Sequence, residues 1–254
     1  MTASMKQWRI GAAVAAAIVG WSAVVQAQEA PEVVLETGVD LVNKYVWRGQ
    51  LLTDDPVVQP SVTLGYGDLS LNVWGSIDTT DVNEMGGEDW RLQEVDYTLS
   101  YAFAPVDGVG MEAGLIYYDF PGTPFDSTQE VYLGMALEDV PLTPSLTVYY
   151  DTDEVEGFYV SLGISHDVAL TERLTAGVSA GLAWGDEDYN DAYFGVTDDG
   201  LNDLSVTASL DYALTSTVSV TGFVGYSELL DSDVEDAVSD ASHAIAGIGV
   251  AAGF

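Results

Sequence analysis

The chain has 254 residues, and its 41 Asp+Glu against 6 Lys+Arg give a formal charge of −35, which excludes nucleic acid as a partner. Yet 48% of the residues are hydrophobic and 14 Tyr and 6 Trp are present, so this is no disordered acidic tail. The absence of cysteine excludes a disulfide framework and thiol chemistry, and 2 His exclude a histidine-rich metal centre.

Residues 1–27 read as a secretory signal peptide. Lys6 and Arg9 lie in an acid-free start, residues 10–25 are almost wholly apolar, and Val25-Gln26-Ala27 offers small residues for cleavage before Gln28. The apolar run is shorter than the ~20 residues a spanning helix requires. The exported remainder, residues 28–254, is expected to form one domain.

Past the signal no stretch is long enough for a spanning helix, and period-2 alternation recurs throughout. Residues 33–47 put Val33, Leu35, Thr37, Val39, Leu41 and Tyr45 on one face, with Glu36, Gly38, Asp40 and Lys44 on the other. Residues 61–66, the turn pair Gly67-Asp68 and the strand that follows form a hairpin. Alternation continues over 93–103, 109–118, 130–137, 146–150, 158–166, 174–184, 204–212, 218–226 and 244–254. Short turns rich in Gly, Pro and Asp alternate with longer acidic connections, among them 49–59, 78–91, 185–203 and 227–242. About twelve strands with short turns at one end, long loops at the other and aromatic residues near the strand ends predict an all-β fold: a transmembrane antiparallel up-and-down β-barrel. Its expected address is the outer membrane of a Gram-negative bacterium, with lipid and lipopolysaccharide around it. The terminal strand, with Ala244, Ala246, Ile248, Val250, Ala252 and Phe254 on one face, resembles a barrel-closing strand read by the barrel-assembly machinery, and Phe254 is the assembly candidate. A secreted β-sandwich is the competing fold, disfavoured by the regular alternation of short turns and long loops.

If apolar faces meet lipid, the opposite faces line the lumen. Glu36, Asp40, Lys44, Glu94, Asp96, Glu112, Glu130, Asp203 and Asp211 are then pore-lining, with carboxylates far outnumbering bases. Lines of Asp and Glu favour cations without a dedicated pocket. Arg48 and Arg91 near the outer end are constriction candidates, able to set a transverse field, to neutralise neighbouring acids or, for Arg48, to pin the first loop. Asp186, Asp188, Asn190, Asp231 and Asp233 form D-x-D runs that suit weak divalent binding at surface loops, but the first run lacks the glycine and glutamate of an EF-hand, and a solvated acidic surface is the better account of them. No other cofactor is expected.

The first hairpin carries a resemblance. Lys44-Tyr45-Val46-Trp47-Arg48-Gly49, then Asp54-Asp55-Pro56-Val57-Val58-Gln59-Pro60-Ser61, then Leu71-Asn72-Val73-Trp74-Gly75-Ser76-Ile77-Asp78 is similar to the opening of the TorF-like family of porins. The resemblance covers about the first quarter of the mature chain and implies an outer-membrane channel whose substrate is unassigned; the acidic lumen face adds the expectation of small hydrophilic solutes or cations. Two other classes compete with passive diffusion. An adhesin or receptor barrel would use the acidic loops and need no open lumen. An outer-membrane lipid hydrolase would need a serine activated by a histidine, but no Gly-x-Ser-x-Gly elbow is present, and Ser242 and His243 are adjacent and so fall on opposite faces of a strand. The chain is therefore expected not to be an enzyme.

Overall fold

The computed structural model describes residues 33–80, 90–121 and 123–254. Residues 1–27, the expected signal peptide, lie outside them. Twelve strands among the described residues close into an antiparallel barrel: β1 (Val33–Val42), β4 (Val57–Tyr66), β5 (Leu69–Asp78), β6 (Arg91–Val106), β7 (Val109–Asp119), β8 (Thr128–Leu137), β9 (Ser145–Asp151), β10 (Phe158–Ala169), β11 (Leu174–Gly185), β12 (Gly200–Ala213), β13 (Val218–Leu229) and β14 (Ser242–Gly253). The expected all-β barrel of about twelve strands is the observed fold.

Period-2 side-chain alternation produces the two surfaces. Val62, Leu64, Leu71, Leu99, Leu133, Leu162, Leu210 and Ile248 point outward and are 43–54% exposed, an apolar belt that lipid would cover. Closure comes from β14 against β1, with Glu36 opposite Gly253 and Val42 opposite Gly247. Phe254 completes it: its backbone N–H donates to the Leu35 carbonyl at 2.9 Å, and the Leu35 N–H donates to the Phe254 carbonyl at 3.1 Å. An unpaired edge in hydrocarbon costs several kcal/mol per unsatisfied group, so this seam is required wherever the wall meets lipid.

One expectation fails. Residues 33–47 are not a single strand, because β1 ends at Val42 and the chain leaves the wall for a separate hairpin, β2 (Tyr45–Trp47) and β3 (Gln50–Thr53). Asn43 makes the exit possible. Its side-chain oxygen accepts from the Ala246 N–H at 2.7 Å and its amide donates to the Ala244 carbonyl at 3.3 Å, so a side chain takes over bonds that a longer β1 would have supplied to β14. The turn of the hairpin is Arg48-Gly49, with φ of 47° and 81°. Positive φ at both central residues is the type I′ geometry whose twist matches paired strands.

Two short helices among the described residues sit on the long-loop side. Helix α1 (Glu187–Phe194) connects β11 to β12, and α2 (Ser232–Ala237) connects β13 to β14. Asp186 and Asp231 cap their N-termini, accepting from Tyr189 N–H and from Asp233 and Val234 N–H respectively.

Candidate functional site

The β2–β3 hairpin folds into the barrel. It leaves between β1 and β4, and in the closed ring β9 stands six places from β1 in either direction, so β8, β9 and β10 form the far wall. Arg48 reaches that wall. Its two terminal nitrogens donate to the two oxygens of Glu130 on β8, each at 2.7 Å, and the Tyr118 hydroxyl on β7 donates to the same carboxylate at 2.8 Å. The guanidinium also lies over three rings, Trp47 at 4.4 Å, Tyr149 at 4.5 Å and Tyr159 at 4.2 Å, with Tyr189 of α1 at 5.9 Å. Arg48 is 4% exposed and Glu130 2%. A desolvated, bidentate pair stacked on aromatic faces is the arrangement in which arginine outperforms lysine.

The tip is held on other sides as well. Gly49 packs so closely on Leu229 and Asp203 that a β-carbon there would collide with both. The Asn202 amide donates to the Arg48 carbonyl at 3.4 Å, and the Gln50 amide donates to the Tyr193 carbonyl of α1 at 3.2 Å. Burial pushes the phenols of Tyr189 and Tyr193 upward from their ordinary range, so both stay neutral around the tip. Nearer its neck, Thr53 donates to Gln93, whose amide donates to Asp78 at 2.8 Å. Around the hairpin Tyr45, Val57 and Phe223 form one apolar cluster, and Tyr118, Tyr132, Tyr149, Tyr159 and Tyr189 another. The outer half of the lumen is therefore a packed plug.

The aromatic residues near the strand ends do not all face outward. Tyr101, Phe103, Tyr117, Tyr212 and Tyr226 are outward and exposed, as girdle rings should be, but Tyr45, Tyr118 and Tyr149 are buried inside and Trp47 packs beside them. In the adjacent pair Tyr117-Tyr118 alternation sends one ring out and one in.

The predicted pore-lining acids fall into two groups. Asp40, Glu94, Glu130 and Asp203 are buried in the outer half, where the Tyr159 hydroxyl donates to Asp203 at 2.7 Å and Asp96 lies within the electrostatic reach of Arg48 and Glu130. Glu36, Glu112 and Asp211 lie nearer the short-turn end and are half-buried. There Tyr132 donates to Glu112 at 2.6 Å, and Ser209 and Thr221 donate to Asp211 at 3.0 and 2.6 Å. The wall between them is small and hydroxylic, with Thr63, Ser70, Asn72, Thr98, Ser179 and Thr207 on inward positions. Among the described strands no Lys or Arg faces inward in this half.

Lys44 is not on the wall. It stands at the hairpin neck, 2.6 Å from the exposed Asp54. Arg91 occupies the outer end of β6 in register with Asp78. Of the D-x-D residues, Asp186 and Asp231 are helix caps, and the Asn190 amide donates to the Asp198 carbonyl at 2.8 Å. Among the described residues no group of three His, Asp or Glu could hold a metal. Of the hydrolase pair, His243 is buried on the lumen face and Ser242 is exposed on the other, so they form no dyad.

The hairpin itself went unread in the sequence. Its signals were the apolar pair Leu51-Leu52 in a presumed surface loop and the turn pair Arg48-Gly49 after the apolar triplet Tyr45-Val46-Trp47.

Residues 38–254 match the family described as MltA-interacting protein MipA. The chain belongs to the MipA family. No curated protein matches it in sequence. Among solved structures it resembles the NanC porin, with a TM-score of 0.54 at 11% identity over 86% of this chain and 98% of that one. The KdgM porin, solved with disordered oligogalacturonate, gives 0.52 at 10% identity over 87% and 99%. An outer-membrane channel from Pseudomonas putida F1 gives 0.51 at 8% identity over 90% and 97%. These likenesses share the barrel fold with this MipA-family chain. The coarser content of the TorF-like resemblance, a porin-like barrel, holds, and the family is MipA.

Proposed function

We propose that this MipA-family barrel is a cation-preferring diffusion channel of the Gram-negative outer membrane, closed at its outer half by the β2–β3 hairpin and conducting small hydrophilic solutes when the hairpin withdraws. The observation that carries this reading is the inner half of the lumen, where Glu36, Glu112 and Asp211 stand among small hydroxyl side chains with no inward base among the described strands. A wall so lined stays wet and attracts cations, and a Debye length of about 8 Å at physiological ionic strength lets wall charges act across a narrow lumen. The outward apolar belt and the likeness to porin barrels support the outer-membrane location. No hydrolytic role is proposed, because the two candidate side chains face apart.

The test is planar-bilayer recording of the natural protein and of a variant whose residues 45–53 are replaced by a short Gly-Ser turn. The natural barrel is expected to conduct rarely and the shortened one steadily, with a reversal potential in a potassium chloride gradient favouring potassium. Changing Glu36, Glu112 and Asp211 to Gln or Asn should weaken that preference at low salt. A silent or anion-selective shortened barrel would overturn the reading.

One observation favours a second reading: the outer lumen is packed like a protein core, and the family is named for a member that interacts with another protein. A non-conducting shortened barrel would leave a docking or receptor role on the long-loop face as the better account.

A further inference from the structure

The wall that receives Arg48 is complete without the hairpin. Glu130, Tyr118, Tyr149, Tyr159 and Asp203 belong to barrel strands and Tyr189 to α1, whereas only Trp47 arrives with Arg48. Together they form a cage for a flat cation: a carboxylate aligned to two parallel N–H donors at 2.7 Å, a hydroxyl fixing that carboxylate from behind at 2.8 Å, and rings on the faces of the guanidinium. Arg48 is tied to it only through the terminal nitrogens and the planar face, since its Nε has no hydrogen-bond partner. What the cage reads is therefore the terminal guanidinium and not the arginine stem.

We propose that this cage on the far wall is a binding site for guanidinium-bearing solutes, occupied in the closed barrel by the chain's own Arg48 as a tethered stand-in. The inference deepens the gated-channel reading and rests on the hairpin being displaceable. A guanidinium matches both carboxylate oxygens and stacks on the rings, whereas an alkylammonium offers a point charge and a stronger hydration shell, so the site should prefer the former by about tenfold or more. Tethering sets the competition. A short tether supplies its group at an effective concentration on the order of millimolar or above, so a free solute binds the natural chain weakly and a chain lacking the Arg48 side chain more tightly.

The experiment uses the whole barrel refolded in lipid nanodiscs, with methylguanidinium and methylammonium as probes, read by calorimetry and by the shift in unfolding temperature. Arg48→Ala is expected to bind methylguanidinium and be stabilised by it, to prefer it over methylammonium by about tenfold, and to lose both effects when Glu130→Gln is added. Arg48→Met, which keeps an apolar stem under the rings, carries the same test if the alanine variant does not fold. Methylguanidinium binding that is no tighter than methylammonium binding, or that survives Glu130→Gln unchanged, overturns the site. Conductance of the same variant in potassium chloride alone separates the two readings. A conducting barrel that ignores methylguanidinium removes the cage and keeps the channel, and a silent barrel that binds it keeps the cage and removes the channel.

Discussion

The two halves of the lumen solve opposite problems with the same alternating strands. In the outer half the inward positions carry large rings and a charge pair that is 2–4% exposed, and a hairpin from one wall is fastened to the other. In the inner half they carry Ser, Thr, Asn and acids whose partners are one or two hydroxyl donors. Burial makes the first region a structural core in which each polar group depends on a specific partner. The second is a polar, half-buried wall whose acids, on the channel reading, can exchange protein donors for water. The same residue type, an inward glutamate, thus has different consequences at Glu130 and Glu112.

That contrast makes the largest prediction. Glu130→Ala leaves the Arg48 guanidinium buried without its counter-charge, and breaking a buried pair from one side costs about 3–5 kcal/mol. Glu112→Gln keeps an acceptor for the Tyr132 hydroxyl and should cost no more than about 1 kcal/mol. Urea unfolding of both variants in the same lipid measures the difference. Equal midpoints would mean that the outer half is as wet as the inner one.

The next effect concerns the seam on which both halves depend. Phe254 is 73% exposed, so its side chain adds little packing within the chain, but its backbone supplies two hydrogen bonds to Leu35. Deleting it removes both, about 1 kcal/mol each, and takes the terminal aromatic from any assembly factor that reads it. Phe254→Asp keeps the backbone bonds and alters only the side chain. If assembly machinery reads the ring, both variants lower the yield of heat-modifiable, protease-resistant barrel in cells. If the seam alone matters, only the deletion does, and refolding in vitro shows the same loss.

How much of this was legible follows from what each feature depends on. Period 2 is a local property, so the inward placement of Glu36, Asp40, Glu94, Glu112, Glu130 and Asp211 and the lipid-facing rows could be read from spacing alone. The hairpin was harder, because residues 45–47 continue the alternation of β1, and its local signals, Arg48-Gly49 and Leu51-Leu52, do not say where β1 ends. What ends it is the Asn43 side chain bonding to Ala244 and Ala246, some two hundred positions away. The partner of Arg48 was hidden for the same reason: Glu130 becomes its neighbour only when the barrel closes and the hairpin crosses it. A position near a strand end does not by itself make a girdle ring: in Tyr117-Tyr118 only the first of the two neighbours faces outward.

The smallest predicted effect compares the two ends of the hairpin, the buried tip and the exposed neck. At the neck Lys44 donates to Asp54 at 2.6 Å, and this hydrogen bond, with the ammonium charge behind it, holds the Asp54 carboxyl below its ordinary value of 3.8. A carboxyl depressed in the folded state contributes stability above that ordinary value and loses it as pH falls through the folded one. The Asp54 carboxylate is 66% exposed, so solvent and salt screen the pair and its worth is below about 1 kcal/mol. Asp54→Asn should therefore lower the urea midpoint slightly at pH 7 in dilute salt, and the gap to the natural chain should narrow toward pH 3 and in 1 M salt. A gap that widens on acidification would show that Asp54 is held by something other than Lys44. A gap as large as that of Glu130→Ala would show that the neck, and not the tip, fastens the hairpin.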